Sequence, residues 1–370
     1  MKTGRTLQEL AVEVERQAAS KQDYLAPSRL MQVHTATGTT TLELPKVGEF
    51  PLNNLAHEQL SAHLNIPRAY YTRLQAEQPA LLDTNINTLL GAREGQEQRM
   101  VRTLDGNTRA ILSDKYRPLD YYDLLSAALP VLGDMGVSLL SCEVTERRLY
   151  LKVVDQRIER DVPTGAKMGN GHAFFDTLSP AMILTNSEVG LGMLGIETAV
   201  WTRLCTNLAI SKERSLRKYH VGARAEFGDG AREMFSDETK RLTDASFWSQ
   251  VGDVVRGAFE RARFDALVDD IQATAERRLT GDPHKAVEAI TNKYGLFEEE
   301  GSAVLRHFIE GGSLTQYGLY NAVTRASADV ADYDRATELE RLGGHVITLQ
   351  PSEWREIAAG EAAKKRPVAE

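Results

Sequence analysis

Hydrophobic residues first recur at helical spacing and then alternate with polar ones. Leu7, Leu10 and Val14 fall on one helix face, which predicts a first helix ending near Ser20. The run Thr39 to Leu44 alternates Thr and Leu, which is typical of a strand or hairpin. The N-terminal region is therefore expected to mix helix and hairpin.

Two short helices are predicted next, over Leu55 to Leu64 and Arg68 to Glu77, with Pro67 near the first turn of the second. A helix-turn-helix interpretation would direct Arg68, Tyr70, Tyr71 and Arg73 toward nucleic acid. The alternative is an ordinary packed helical pair, and the pattern leaves both interpretations open.

The middle of the chain has the pattern of hairpins. Met100 to Leu104 and Thr108 to Leu112 flank Asp105-Gly106-Asn107, and Asp-Gly between strand-like runs indicates a tight hairpin turn. A helix follows from about Leu119 to Leu132. Further strands are expected over Val137–Val144, Leu149–Val154, His172–Phe175, Ala181–Thr185 and Ile196–Trp201.

After Gly230 the pattern is helical almost throughout. The predicted segments are Phe247–Arg261, Phe264–Leu279, Lys285–Tyr294, Glu298–Ile309 and Tyr317–Val330. Gly343-Gly344 followed by His345 to Leu349 suggests a late short strand.

These elements predict an α+β fold: a largely antiparallel, hairpin-rich sheet with flanking helices, followed by a mainly helical C-terminal region. The predicted divisions are an N-terminal helical and hairpin region over 1–95, a β-rich core over 96–228, a helical region over 229–350 and a polar tail over 351–370.

Composition limits the class of protein. A chain of 370 residues with 42% apolar residues can bury a substantial core. No apolar run reaches the roughly 18 residues of a membrane span, and the first residues lack a secretory signal. Two cysteines, Cys142 and Cys205, suggest neither a disulfide framework nor a zinc site. A cytoplasmic protein without membrane partners is expected.

The net charge of −8 argues against a protein that coats duplex DNA. One segment of this acidic chain, from Arg203 to Arg224, is nevertheless basic. Cations and aromatic rings are interleaved there, as a single-strand binding groove requires. A solvated basic loop is the alternative. The predicted contact residues are Trp201, Arg203, Lys212, Arg214, Arg217, Lys218, Tyr219 and Arg224.

Candidate chemistry is sparse. Glu188 lies with Asn186 in a polar cluster after an apolar run and is a candidate for acid/base catalysis or metal binding. Together with Asp114 and Asn321, these two residues are the polar site of the alternative, enzymatic hypothesis. A turn capped by its own side chains is the simpler interpretation. Gly190 to Gly195 matches G-x-G-x-x-G, but a strand-like run follows where a dinucleotide site needs a helix. No catalytic motif, metal site or cofactor is expected.

Several motifs occur together in a recognisable order. They are Arg109-Ala110-Ile111-Leu112-Ser113-Asp114-Lys115-Tyr116-Arg117, Asn186-Ser187-Glu188-Val189-Gly190-Leu191-Gly192, Cys205-Thr206-Asn207-Leu208 and Tyr317-Gly318-Leu319-Tyr320-Asn321-Ala322-Val323-Thr324-Arg325. From about Leu55 to Leu349 the chain resembles the phage/plasmid-like family of domain of unknown function 932. The resemblance implies an accessory protein of mobile elements and supplies no catalytic residue.

Three functions follow from these observations. The leading hypothesis is a non-enzymatic nucleic-acid-binding protein of a phage or plasmid, which binds or anneals single-stranded DNA in recombination or replication. The alternatives are an enzyme acting on nucleotides or nucleic acid, and a counter-defence factor that binds a host protein. Self-association through an exposed strand edge is left open.

Overall fold

A computed structural model describes residues 1–93, 97–167, 173–203, 206–218 and 237–360. Within these ranges the chain has three antiparallel sheets and twelve α-helices, which confirms the predicted α+β class. None of the helices in this part of the chain is both long enough and apolar enough to cross a membrane.

The strands form two three-stranded sheets and one of six strands. The small sheets have the orders β1-β5-β6 and β2-β3-β4, and the large sheet has the order β12-β11-β10-β8-β7. The first half of β10 pairs with β9 and its second half with β8. The strands are β1 (Gln22–Pro27), β2 (Gln32–Ala36), β3 (Thr39–Leu44), β4 (Gly48–Pro51), β5 (Gln98–Leu104), β6 (Asn107–Ser113), β7 (Ser138–Val144), β8 (Leu149–Val154), β9 (Arg160–Lys167), β10 (Ala173–Asn186), β11 (Leu194–Thr202) and β12 (Asn207–Lys218).

The helices fall into a group before the large sheet and a group after it. They are α1 (Leu7–Ser20), α2 (Asn54–His63), α3 (Arg68–Glu77), α4 (Pro79–Gly91), α5 (Tyr121–Met135), α6 (Asp237–Gly257), α7 (Arg261–Glu276), α8 (Pro283–Tyr294), α9 (Glu298–Glu310), α10 (Gln316–Ala326), α11 (Tyr333–Ile347) and α12 (Pro351–Ala359). A short 3-10 helix, Ser28–Leu30, follows β1.

The large sheet is covered by helices on both faces. Successive side chains of β10 point to opposite faces, so Met182 and Leu184 pack with α5 and α6 while Ala181 and Ile183 pack with Tyr333 of α11. A further core joins α7 to α12 with residues of β9, β10, β11 and β12. The helical C-terminal region therefore shares its cores with the β-rich part of the chain.

Strong local signals gave the correct elements. Thr6 caps α1 in a capping box with Glu9, which fixes the predicted first helix. Asp105 and Gly106 both have positive φ, of 52° and 77°, as a two-residue hairpin turn of type I′ requires. The two strands predicted on either side of Asp176 belong to one long strand, β10.

The late strand predicted over His345 to Leu349 is wrong, because α11 continues through Gly343-Gly344 to Ile347. A Cβ atom at Gly344 would lie 1.7 Å from the Ile210 carbonyl oxygen, so this glycine allows α11 to approach β12 closely. The two glycines permit close packing here and do not break the helix.

The polar tail predicted from residue 351 is wrong over 351–359, which form α12. Trp354 and Ile357 are only 4% and 3% exposed, so burial of one apolar face explains this helix. The remaining tail, 361–370, lies outside the described residues. The helix α4 and the strands β1, β2, β9 and β12 were not predicted.

Candidate nucleic-acid interface and buried polar clusters

The predicted basic segment begins with Trp201 at the end of β11 and continues along β12, which ends the described strand order of the large sheet. Its pairing with β11 reaches the end of the strand, with register shifts on either side of Glu197, and pairs Arg214 with Glu197, Arg217 with Gly195 and Lys218 with Leu194. The side chains of Lys212, Arg214, Arg217 and Lys218, and all of Tyr219 and Arg224, lie outside the described part of the chain. The backbone therefore places four basic residues along the last strand of the described order.

Arg203 lies just after β11 and is accessible. Its side chain is 62% exposed, and its Nη1 is 3.2 Å from Glu159 Oε1. Exposed ion pairs of this kind contribute little to stability, so a phosphate can replace Glu159 as the partner of this guanidinium. The backbone N–H of Arg203 donates to the Thr177 carbonyl at 3.0 Å, which fixes the residue beside β10.

Trp201 does not have the exposure that base stacking needs. The residue is 8% exposed and packs with Leu208 and Ile210 in the core under α11. Stacking on a base requires an accessible ring face. The burial of this ring therefore argues against the predicted stacking role of Trp201.

The helix pair α2 and α3 has a packed interior. Tyr71 is fully buried, and its hydroxyl lies 2.7 Å from His57 Nδ1. Burial, with a smaller effect of the Arg68 charge, lowers the pKa of His57 to about 4. Tyr71 is thus part of the core, while Arg68 and Arg73 are exposed.

Glu188 lies directly after β10 and is 2% exposed. Its Oε1 accepts a hydrogen bond from the Tyr121 backbone N–H at 2.6 Å, and its Oε2 accepts one from Arg109 Nη1 at 3.0 Å. Both carboxylate oxygens are therefore engaged inside the protein. This arrangement suits a carboxylate that holds elements together better than one that exchanges protons with a substrate.

The same cluster extends through Arg102, which is 1% exposed. Arg102 donates to Asp23 Oδ1 at 2.7 Å, to Asp120 Oδ1 at 2.8 Å and to the Glu188 carbonyl at 2.9 Å. Burial by itself raises the pKa of Asp120, but the charges and hydrogen bonds of Arg102 and Lys21 outweigh it and hold that pKa below its usual value.

Charge balance explains how this cluster is tolerated in the interior. Buried charges are stable only when they are paired and hydrogen-bonded. The cluster joins the end of α1, the β1-β5-β6 sheet, the start of α5 and the end of β10. Its cations are Lys21, Arg102 and Arg109, and its anions are Asp23, Asp120 and Glu188.

The four residues of the alternative polar site do not form one site. Asn186 lies in the Glu188 cluster, where its Nδ2 donates to the Leu119 carbonyl at 2.6 Å, and Asp114 is exposed and accepts from Ser113 Oγ at 3.1 Å. Asn321 lies on α10 near Asp176, at the other end of β10. At about 3.3 Å per residue, Asp176 and Glu188 are roughly 40 Å apart.

The loop after Glu188 is a turn between strands. Gly190 has a φ of 77°, and a Cβ atom there would lie 2.6 Å from Leu112 Cδ2. Leu194 then begins β11, so the third glycine of G-x-G-x-x-G is inside a strand. The segment therefore lacks the helix that a dinucleotide site requires.

A second buried ion pair was missed by the sequence reasoning. Lys152 Nζ on β8 is 2.6 Å from Glu340 Oε2 on α11, and both side chains are fully buried. Burial lowers the pKa of Lys152. The signal was present in the sequence, since Lys152 interrupts the apolar run from Leu149 to Val154.

The described residues include no group of three or more His, Cys, Asp or Glu side chains that could hold a metal ion. A scan of protein-family models and searches of curated proteins and solved structures found no match to this chain.

Proposed function

We propose that this protein binds nucleic acid, with single-stranded DNA as the favoured partner, along β12 and the basic residues that follow it. The observation that carries the proposal is the position of the basic run. In a chain of net charge −8, Lys212, Arg214, Arg217 and Lys218 fall on β12, the end of the described strand order of the large sheet. Phosphate binding depends on such local clusters of cations.

The length of β12 suits a short stretch of nucleic acid. Twelve residues of strand extend roughly 40 Å. Arg203 precedes this strand, and Arg217 and Lys218 lie at its end, so the basic residues are spread along its length. Single-strand binding proteins cover about 4–16 nucleotides per binding module.

Electrostatics carries most of the proposed binding. Trp201 is buried, so Tyr219 is the one ring of the predicted segment left to stack on a base. Neutralising about six phosphates on a single strand gives a slope of log K against log[salt] of about −4. The cations are Arg203, Lys212, Arg214, Arg217, Lys218 and Arg224.

Fluorescence anisotropy across a salt series tests the proposal, with a labelled single-stranded oligonucleotide and its duplex. The test variant is Arg214→Glu/Arg217→Glu/Lys218→Glu. The control is Arg29→Glu/Arg68→Glu/Arg73→Glu, which changes the net charge by the same amount at exposed positions elsewhere.

We expect salt-sensitive binding that favours the single strand, is lost in the test variant and is kept in the control. Loss in the control alone would move the interface to α3 and support the helix-turn-helix interpretation. Absence of binding at low salt would overturn the proposal and turn the search to host proteins. A role of this binding in recombination or replication is a further part of the proposal, and it is motivated only by the sequence motifs that resemble phage and plasmid proteins.

A further inference from the structure

A groove with a volume of about 500 Å³ lies between the start of α9 and the segment that joins α10 to α11. This volume is within the range of about 300–1,000 Å³ that is usual for binding sites. The groove is therefore large enough to receive several side chains of another segment. Its apolar lining consists of Phe297, Ala303, Ala326, Val330 and Ala331.

Phe297 is the largest apolar side chain of the groove, and it is 63% exposed. The guanidinium of Arg335 lies over its ring, with Cζ 4.9 Å from the ring centroid. The remaining ring surface is in contact with water, which is unfavourable for an aromatic group of this size. An apolar side chain that covered this surface would therefore be held there.

The cation that lines the groove is already neutralised. Arg335 donates to both carboxylate oxygens of Glu300 at 2.7 Å and to Glu338 Oε2 at 2.8 Å. At the opposite side of the groove, Asp329 is paired with Arg306 at 2.7 Å. These pairs leave no excess of positive charge that would repel a basic ligand.

The other acidic residues of the groove are accessible. Glu299 and Asp332 line it, and Glu298 precedes Glu299 in the first turn of α9. All three are exposed, and none forms a salt bridge with another described residue. Asp332 Oδ1 accepts the Arg335 backbone N–H at 2.7 Å, which holds this carboxylate at the start of α11. The complement of this groove is a segment that carries cations beside small apolar side chains.

The chain has such a segment shortly after its last described helix. Three cations, Lys364-Lys365-Arg366, are followed there by the apolar pair Pro367-Val368. Residues 361–370 lie outside the described part of the chain, which ends at Gly360. A Cβ atom at Gly360 would lie 2.5 Å from Lys285 Cβ, so the described chain ends beside the first turn of α8.

The segment is long enough to reach the groove. From Lys285, α8 rises about 1.5 Å per residue to its end at Tyr294, and Phe297 follows three residues later. Phe297 is therefore within roughly 24 Å of Lys285. The eight residues from Glu361 to Val368 span up to about 28 Å.

We propose that the groove binds the basic segment Lys364-Lys365-Arg366-Pro367-Val368 of the same chain. The cations of this segment pair with Glu299 and Asp332, and its apolar pair covers the exposed surface of Phe297. A basic ligand from another molecule then reaches the groove only by displacing this segment. The inference uses no residue of β12 and is independent of the proposed nucleic-acid binding.

Trypsin cleavage of the intact chain tests the inference, because trypsin cleaves after Lys364 and Lys365 and a bound segment is protected. Mass spectrometry measures the cleavage rate relative to that of a free peptide of residues 361–370 in the same solution. A short tether gives an effective concentration in the millimolar range. A contact with a Kd of about 0.5 mM then slows cleavage about threefold, and we expect at least this protection.

Two variants test the groove. Glu299→Gln/Asp332→Asn removes two charges and keeps a residue that can cap α11. Phe297→Ser removes the ring and supplies a hydroxyl that can cap α9. Each is expected to bring the cleavage rate close to that of the free peptide. The matched control is Glu43→Gln/Glu49→Gln, which removes the same charge at exposed positions on β3 and β4 and should keep the protection. Melting temperatures establish that each variant folds.

Cleavage of the unmodified chain at the rate of the free peptide would overturn the inference. Protection that persists in either groove variant would also overturn it, because the segment would then be bound elsewhere. Anisotropy with a labelled peptide of residues 361–370 identifies another occupant. If an unprotected chain binds this peptide, and Glu299→Gln/Asp332→Asn abolishes the binding, the groove takes a basic segment of another molecule and the assignment to this chain is overturned.

Discussion

Replacing Glu188 by Gln separates a structural role of this residue from a catalytic one. Gln keeps the shape of the side chain and an acceptor for the Tyr121 N–H, but it removes the charge that Arg109 faces at 3.0 Å. Arg109 is 5% exposed and would be left uncompensated. Breaking a buried pair in this way costs about 3 kcal/mol or more.

This loss of free energy of unfolding corresponds to a measurable fall in the melting temperature. With an unfolding entropy of about 2.1 cal/mol/K per residue, 370 residues give roughly 0.8 kcal/mol/K. We therefore expect Glu188→Gln to lower the melting temperature by about 4 °C. A double-mutant cycle with Arg109→Met should show a coupling of at least about 1 kcal/mol.

Circular dichroism melting measures both quantities. The control is Glu58→Gln, which breaks a pair with Arg147 at 3.5 Å on the surface, where the carboxylate is 40% exposed. A loss of less than about 0.5 kcal/mol is expected there. The reasoning is refuted if Glu188→Gln melts like the unmodified protein. If that variant also abolishes an activity on nucleotides or nucleic acid, Glu188 is catalytic.

Three further predictions concern stability. The His57 pKa of about 4 in the folded protein lies below the unfolded value near 6.5. The stability contribution of His57 is therefore complete above pH 6.5 and is lost as the pH falls toward 4, with a loss of about 3 kcal/mol at most. Urea midpoints from pH 7 to 4.5 should vary less in His57→Gln, and His34→Gln on the surface should leave the slope unchanged. Lys152→Met should lower the free energy of unfolding by about 3–5 kcal/mol. Lys152→Met/Glu340→Met should lower it much less, because the double change leaves no unpaired buried charge. Equal losses of the two variants in urea unfolding would contradict this. Gly344→Ala should prevent proper packing of α11 on β12. Gly133→Ala in α5 should be neutral or stabilising, because the added Cβ atom meets no atom within 4 Å. Soluble yield and melting temperature measure both effects.

Periodicity and turn chemistry were enough to predict much of the fold. The capping box at Thr6 and the Asp105-Gly106 turn act over a few residues, so their effect can be seen in the sequence. The helical character of the region after Gly230 was predicted for the same reason. These local signals do not indicate which helices and strands pack against one another.

The buried polar clusters depend on contacts between helices and strands that are distant in the sequence. Glu188, Arg102 and Lys21 are far apart in the sequence, and only the packing of α1, β5 and the end of β10 makes them one ion network. Trp201 was predicted to stack on a base because it lies among cations in the sequence, but its packing with Ile210 and Tyr333 buries it.

The sequence by itself determined the α+β class and the approximate bounds of many helices and strands, because local propensity and side-chain period are properties of short segments. Tertiary structure alone decided that Asn321 lies with Asp176 and apart from Glu188, and that Gly344 packs α11 on β12 without breaking the helix. Both outcomes depend on contacts between residues distant in the chain, and the pattern of a short segment does not encode those contacts.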